Sequence, residues 1–344
     1  MRDKLAVVIL NWNGLDFLRQ FLGSVIGHTL RQDTSIYLAD NGSTDGSAGW
    51  VAANFSEVRI ISLDKNYGFA KGYNLALAQI NAEYYILLNS DIEVTPGWTE
   101  PLTKFLDENP RVAACQPKIL SFLSRDHFEY AGAAGGFIDK YGYPFCRGRI
   151  FNVVEPDKSQ YNDLTDVFWT SGACMAVRAE AWEKCGGFDA DFFAHMEEID
   201  LCWRFQYAGY RLTYIPQSKV YHFGGGSLPY SSPFKTYLNF RNSLYMLYKN
   251  LPREKLHRIM FIRKLMDGLA AMLFLVTGKL SHVRSVLKAH MAFYRNIESL
   301  KEKRSMAKTH LNKKLTGHIL NKSIVFEFYI RGNRTFGVLK SYFR

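Results

Sequence analysis

The sequence predicts an α/β fold in which a mostly parallel sheet carries helices on both faces. Wholly apolar runs, of the kind a sheet buries on both sides, alternate with amphipathic stretches four times in about the first 90 residues. The breaks between them are rich in Gly, Asn, Asp and Ser, the residues of tight turns. The chain is 47% hydrophobic, with 25 Phe, 20 Tyr and 6 Trp, ample for a large core. At 344 residues it is longer than one typical domain, so two parts are expected.

Residues 5–10 form the first strand, an apolar run that ends in Asn11-Trp12-Asn13 and is too short for an export signal. Residues 15–26 follow as a helix, with Leu15, Leu18, Phe21, Leu22, Val25 and Ile26 on its apolar face. Residues 35–39 make a second strand ending at Asp40. The turn-rich run 41–47 then opens a helix near 48–55, with Ser43, Thr44 or Asp45 as its N-cap. Residues 58–62 are the third strand, and 66–72 a Gly-containing loop that opens a helix to about residue 80. Residues 84–88, Tyr-Tyr-Ile-Leu-Leu, are the fourth strand and run directly into Asn89-Ser90-Asp91. Farther on, 132–149 reads as a flexible hairpin or flap and 168–174 as a strand. A helix from Glu197 to about Ala208 stops at Gly209. In it, Asp200 and Arg204 have the spacing of an exposed ion pair.

Charge divides the chain. Residues 1–232 hold 20 Lys and Arg against 27 Asp and Glu, a net −7, whereas residues 233–344 hold 23 against 5, a net +18. The boundary is expected near Ser231-Ser232-Pro233, between a domain spanning 1–232 and a basic, amphipathic helical region spanning 233–344. Helices that mix Phe, Tyr and Leu with Lys and Arg are expected to seek an anionic membrane surface; no nucleic-acid motif accompanies the charge, so no nucleic-acid partner is expected. The longest uncharged apolar stretch, residues 268–278, has 11 residues, and spanning a bilayer takes about 20. Five cysteines (Cys115, Cys146, Cys174, Cys185, Cys202) without paired short spacings fit reduced thiols in the cytoplasm.

In sheets of this kind ligands bind outside the carboxyl ends of the strands, where 11–13, 40–45, 66–72 and 89–91 all fall. Capping accounts for one of these polar clusters more easily than for four. Asp40 at a strand tip can accept from the imide N–H of uracil or thymine without telling them apart. Gly68 and Gly72 let the backbone approach a ligand, the helix they open favours an anion, and Lys71 adds charge toward a diphosphate. Asp91 can share a divalent cation with diphosphate oxygens, and Asn89 can bond the sugar or the cation. No G-x-G-x-x-G follows the first strand, which argues against a dehydrogenase.

The runs VVILNWN, ADNGSTDGS, NYGFAKGYN, LLNSDIEV, FWTSGACMAVR, HMEEIDLCWRFQYAGYR and VYHFGGGS resemble, in this order, the family 2 glycosyltransferases, most closely the bacterial rhamnosyltransferase-like group. The resemblance implies a GT-A fold, with a Rossmann-like mixed sheet flanked by helices. The nucleotide-sugar half would span 1–115 and the acceptor half 116–232. It also implies a nucleotide-diphosphate sugar donor, Mg²⁺ or Mn²⁺, and inversion at the anomeric carbon. The expected donor site comprises Asn13, Asp40, Asn66, Gly68, Phe69, Lys71, Gly72, Asn89 and Ser90; Asp91 and His222 would be the metal ligands. The family's Asp-x-Asp motif has Asn89 at its first position here, which leaves Asp91 as the one carboxylate of the triplet. The acceptor would meet Trp169, Ser171 and Gly172, with Glu198 as catalytic base, ionised below neutrality, and Glu197 beside it. The expected donor is dTDP-rhamnose, with a UDP-sugar next. The expected acceptor is a glycan or a polyprenyl-diphosphate-linked precursor of a surface polysaccharide, met at the inner face of the plasma membrane. A non-catalytic nucleotide-sugar or glycan-binding module on the same fold is the rival.

Overall fold

The computed structural model describes residues 2–29, 32–224, 232–306, 315 and 319–343. Ser231 of the expected boundary and residues 225–227 of the VYHFGGGS run lie outside them. Four parallel strands come first: β1 (Asp3–Asn11), β2 (Thr34–Asp40), β3 (Val58–Ser62) and β4 (Ala82–Asn89). The helices between them are α1 (Leu15–Thr29), α2 (Ser47–Asn54) and α3 (Gly68–Leu77). Alternation along β1 feeds two cores. Leu5, Val7 and Ile9 face Leu18 and Leu22 of α1, whereas Ala6 and Val8 face Tyr73 and Ala76 of α3. The strand order 3-2-1-4 reverses beside β1 and opens a crevice at the ends of β1, β2 and β4.

The chain continues through β5 (Ile92–Val94), α4 (Thr99–Glu108) and β6 (Val112–Ser121). Short strands β7 (Gly136–Asp139), β8 (Pro144–Cys146), β9 (Arg149–Ile150), β10 (Val153–Val154) and β11 (Thr165–Asp166) lead to β12 (Cys174–Arg178), α5 (Ala179–Lys184), α6 (Glu197–Tyr207) and β13 (Arg211–His222). The main sheet runs β11-β13-β6-β12-β4-β1-β2-β3, with β5 also paired to β13. It is the mixed sheet that the resemblance implies, parallel through β1–β4 as the alternation predicts and antiparallel where β12 meets β4 and β6. The long excursion before β12 contains no crossover helix to bring it back in parallel.

Four helices follow, α7 (Pro233–Asn250), α8 (Arg253–Val276), α9 (Leu280–Arg295) and α10 (Ile297–Met306), then β14 (Ile319–Leu320), α11 (Ile324–Tyr329) and α12 (Phe336–Leu339). Ser232 caps α7 and Pro233 sits in its first turn. The change of charge at residue 232 is not a break in packing. Lys249 of α7 pairs with Asp200 of α6 at 2.9 Å, Asn250 donates to Asp200 Oδ1 at 2.8 Å, and Leu244, Met246 and Leu247 are fully buried. Asp200 is thus a buried ion-pair centre, contrary to the exposed pair expected from its spacing with Arg204, because α7 covers it. Among the described residues no helix is long and apolar enough to cross a membrane.

The 132–149 segment is the expected hairpin, β7 paired antiparallel with β8, but it is packed into the fold rather than hanging as a flap. Its strands β7 and β8 belong to a second sheet of order β10-β9-β8-β7-β14. Phe137 and Phe145 pack, tilted or edge-on, against Phe336 and Phe343.

Candidate active site

The crevice is organised by asparagines. Asn11 Nδ2, at the end of β1, donates to Asp40 Oδ1 at 3.3 Å, to Ser43 Oγ at 3.1 Å and to Ser47 Oγ at 2.8 Å. Asp40 Oδ2 accepts from the Ser43 N–H at 3.2 Å. These bonds fix Asp40 at the strand tip as the sequence expects. Asn13 has a left-handed backbone (φ 51°), and its Oδ1 accepts from the Thr44 N–H at 2.8 Å. The N-cap position of α2 is Gly46, not Ser43, Thr44 or Asp45. Asp45 instead joins two helix starts, accepting from Ser47 N at 3.1 Å and from Leu15 N at 2.9 Å.

Asn41 Nδ2 donates to Asn66 Oδ1 at 3.1 Å, and Asn66 Oδ1 also takes the Gly68 N–H at 2.8 Å, so Asn66 shapes the entrance to α3. That helix begins at Gly68, so Gly68–Gly72 is its opening turn rather than a loop. Gly68 has φ +76°, and a Cβ there would lie 2.4 Å from the Phe193 ring; Gly72 packs against Leu10 and Asn41. Phe69 packs edge-on against Tyr73, with centroids 4.8 Å apart. Lys71 is exposed, its Nζ 4.6 Å from the Tyr67 ring centre. Asn11 and Asn41 carry no distinguishing signal in the sequence beyond their place at strand ends.

From β4 the chain turns through Ser90 and Asp91 into β5, which pairs with β13 in the register Ile92↔His222. His222 Nε2 therefore lies 3.1 Å from Asp91 Oδ1 and 3.3 Å from Asn89 Nδ2. On its other side His222 Nδ1 lies 3.0 Å from Glu129 Oε2, as an ionic contact off hydrogen-bond geometry. Burial works against the charge on His222, yet the two carboxylates outweigh it and hold the imidazole well above its ordinary pKa. Burial also opposes ionisation of Asp91 and Glu129; the His222 charge overcomes it and holds both below the usual carboxylate range. Glu129 has no sequence motif, and its role follows only from the fold.

These residues fit a divalent cation. One carboxylate and one imidazole meet on neighbouring segments, and a second carboxylate holds the far imidazole nitrogen, the arrangement that orients metal-bound histidines; a cation there would take the place of the His222 Nε2 proton, since a charged imidazole has no lone pair to give. Among the described residues no three His, Cys, Asp or Glu form a ready-made cage, so further ligands would come from diphosphate oxygens and water.

The third cluster opens α6. Phe193, His195 and Met196 all have positive φ (63°, 70° and 73°), an uncommon run for residues other than glycine and a mark of stored strain. Asn242 of α7 holds this loop, its buried amide lying 2.9, 2.8 and 2.7 Å from the carbonyls of Phe192, Ala194 and His195. Arg241 adds bonds to the carbonyls of Asp191 and Phe192. Glu197 and Glu198 come directly after this loop, and the Oε2 atom of each is buried without a hydrogen-bond partner among the described residues.

Burial pushes the Glu198 carboxyl up to about 7, against backbone N–H groups of the helix start that pull it down. The carboxyl expected to stay below neutrality is brought about level with it by that desolvation. Glu197 is pushed well above its ordinary value, first by burial and then by the charges of Glu198 and Asp200. Both adjacent carboxyls are thereby held above their ordinary values, so the pair keeps a proton more readily than two free carboxylates would. His195 is driven down to about 4 by burial, helped by Lys235, and stays uncharged.

The clusters meet. A Cβ on Gly172 would touch Phe69 and come 3.8 Å from Glu198 Cβ, and the next residue, Ala173, accepts from Asn89 N at 2.9 Å. The segment around Gly172 is a turn, since β12 starts only at Cys174. Ser171 is committed to the scaffold, donating from Oγ to Ala131 O at 2.6 Å. Trp169 does not face the crevice. It is buried, with its indole N–H donating to Phe137 O at 3.0 Å, and Gly136 packs against its ring, which leaves no ring face for a sugar.

The family described as Glycosyl transferase family 2 matches residues 6–186, more than half of the chain. An N-acetylglucosaminyl-diphospho-decaprenol L-rhamnosyltransferase of Mycobacterium tuberculosis is 30% identical over 240 residues, covering 64% of this chain and 76% of that protein. The rhamnosyltransferase WbbL of Escherichia coli (strain K12) is 30% identical over 164 residues, 46% of this chain and 61% of its own. Among solved structures, GalNAc-T7 with UDP, GalNAc and Mn²⁺ superposes with a TM-score of 0.57 at 17% identity, over 74% of this chain. The chain spans about half (49%) of that structure's length. The mannosyltransferase PcManGT from Pyrobaculum calidifontis, in complex with GDP-Man and Mn²⁺, gives 0.50 at 14% identity over 90% of this chain and 87% of its own. At these identities the likeness speaks for the fold alone.

Proposed function

Because this chain belongs to glycosyl transferase family 2 and is a glycosyltransferase of GT-A fold, we propose that it transfers rhamnose from dTDP-rhamnose, with inversion, to a lipid-linked glycan. The reaction would take place at the cytoplasmic face of the membrane. The rhamnosyl donor and the polyprenyl-diphosphate acceptor follow the names of the relatives; a UDP-sugar is the second choice, because a carboxylate at Asp40 accepts equally from thymine and uracil.

The observation that carries the reading is the Glu197–Glu198 pair, Glu197 buried and Glu198 half-buried, partnerless at both Oε2 atoms and with both carboxyls raised above their ordinary values. In a single displacement the acceptor hydroxyl attacks the anomeric carbon, its proton passes to Glu198, and the bond from that carbon to the diphosphate oxygen breaks. Glu197, neutral beside it, can donate a hydrogen bond to the acceptor. Asp40 would read the base, and the N-terminus of α3 and Lys71 would meet the diphosphate. Asp91 and His222 would hold Mg²⁺ or Mn²⁺, which supplies positive charge against the departing diphosphate. The test is a panel of dTDP-, UDP- and GDP-sugars with Mn²⁺, read by calorimetry and by NMR of the product's anomeric configuration. Tightest binding of a dTDP- or UDP-sugar and an inverted product support the reading; retention, or binding indifferent to Mn²⁺, contradicts it.

A further inference from the structure

Helix α8 is packed only along its first part. Its buried residues are Leu256, Ile259, Met260, Arg263 and Asp267, and beyond Asp267 nothing on it is buried. The outward side carries Phe261, Leu265, Leu269, Met272, Leu273 and Val276, all more than half exposed, with Val276 at 82%. At helical spacing these six fall within an arc of roughly 120° that runs about 22 Å along the axis. The stripe continues after the turn at 277–279 onto α9 as Leu280, Leu287, Met291 and Tyr294, each exposed by half or more. Such a surface far exceeds the scattered apolar residues of an ordinary exterior.

Charge decides what covers it. Residues 255–297 hold eight Lys and Arg and one carboxylate. That carboxylate, Asp267, is buried and bonded to His290 at 3.1 Å. Lys279, Arg284, Lys288 and Arg295 are exposed beside the α9 stripe. A second copy seated on this face would set cations against cations, whereas anionic phospholipid headgroups neutralise them. An apolar stripe edged with basic residues is the pattern of a helix lying in a membrane interface.

The hairpin is also tied to the catalytic opening. Thr236 Oγ1 and His282 Nδ1 lie 2.8 Å apart, and Ser285 Oγ donates to Pro233 O at 2.7 Å, so the start of α9 is fastened to the start of α7. There Phe234, half-exposed, packs edge-on against Phe193 in the loop that leads to Glu198.

We propose that the α8–α9 hairpin lies in the headgroup layer of an anionic bilayer, its apolar stripe inserted, which holds the Glu198 opening against the membrane surface. The proposal rests on the lipid-linked acceptor reading and adds the surface that brings enzyme and acceptor together.

The full chain is tested by flotation with phosphatidylcholine vesicles, with and without phosphatidylglycerol, alongside calorimetry of Mn²⁺-dependent dTDP and UDP binding. Wild type is expected to favour the phosphatidylglycerol vesicles by about tenfold or more, less so at high salt. Leu269→Glu with Leu273→Glu should reduce partitioning by about tenfold or more. Arg284→Ser with Lys288→Ser should reduce it several-fold and flatten the salt dependence, with nucleotide affinity unchanged in both variants. Val276→Trp gives a readout independent of whether those variants fold: its fluorescence should shift to the blue on phosphatidylglycerol vesicles. Wild type that binds nucleotide but not vesicles, or a Val276→Trp emission that vesicles leave unchanged, overturns the docking and leaves the transferase reading standing. A wild-type dimer by light scattering that Leu269→Glu with Leu273→Glu dissolves, without vesicle binding, overturns it in favour of a second copy. Wild type that binds vesicles but no nucleotide upholds the docking and removes the transferase reading.

Discussion

Asp91 and Glu198 are carboxylates at the same edge of one sheet, both shielded from water, yet their surroundings drive them in opposite directions. Around Asp91 charge is compensated in part: His222 lies between Asp91 and Glu129, each member keeps its charge, and one negative charge is left over to attract a cation. Around Glu198 nothing compensates. Its neighbours are Glu197, an uncharged His195 and a strained loop held by Asn242, and the carboxyl is left near the point of gaining or losing a proton. A compensated carboxylate suits a group that must hold position and bind a cation. An uncompensated one suits a group that must change protonation state in each turnover.

Removing the proton acceptor should show the largest effect. Glu198→Gln is expected to lower turnover by about 10²–10⁴-fold with donor affinity intact, and Glu197→Gln by much less, as measured by single-turnover transfer at saturating donor. The compensated side should fail differently. Asp91→Ala is expected to abolish the metal-dependent part of donor affinity while the fold persists; unchanged Mn²⁺-dependent binding by calorimetry would remove Asp91 from the metal site.

Farther along the donor edge, Asp40→Ala should weaken nucleoside diphosphate binding by about 1.5–3 kcal/mol, the scale of a charge-assisted hydrogen bond. Equal affinity of wild type and variant for UDP and dTDP would contradict its role as base reader. Asn242→Ala strips three carbonyls, that of Phe192 buried, of their donor and should cost about 1–3 kcal/mol of stability by denaturant titration. Turnover should fall in that variant more than donor affinity, since the loop feeds Glu198 and not the nucleotide; the reverse ranking would break the contrast between the two regions.

The donor side was the more legible in sequence, for a physical reason. Buried strands are local apolar runs, and the polar residues at their carboxyl ends land at the crevice, so the placement of Asp40, Asn89 and Asp91 comes from a few residues of context. The base side depends on contacts between distant segments. Asp200 reads as an exposed partner of Arg204 until α7, some 50 residues later, lays Lys249 and Asn250 over it. Trp169 reads as a sugar platform until Gly136 and Phe137 take up its ring. Glu129 and Asn242 have no motif, and each gains its role from a partner 93 or about 50 residues away in sequence. The proton affinity of Glu198 lies beyond local pattern as well, because desolvation is a property of the assembled core.

The central claim is that Glu198 takes the acceptor's proton while Glu197 stays neutral, and the pH dependence of the single-turnover rate tests it most directly. Glu198 has a folded pKa raised above its unfolded value, so it must lose its proton to act, and the rate should climb with pH to a plateau with an apparent pKa near 7. The same shift makes its contribution to stability complete below about 4.5 and lost as pH rises through about 7. Glu198→Gln should flatten the rate profile, while Glu197→Gln should keep an inflection. A wild-type inflection that survives in Glu198→Gln and vanishes in Glu197→Gln would contradict the assignment.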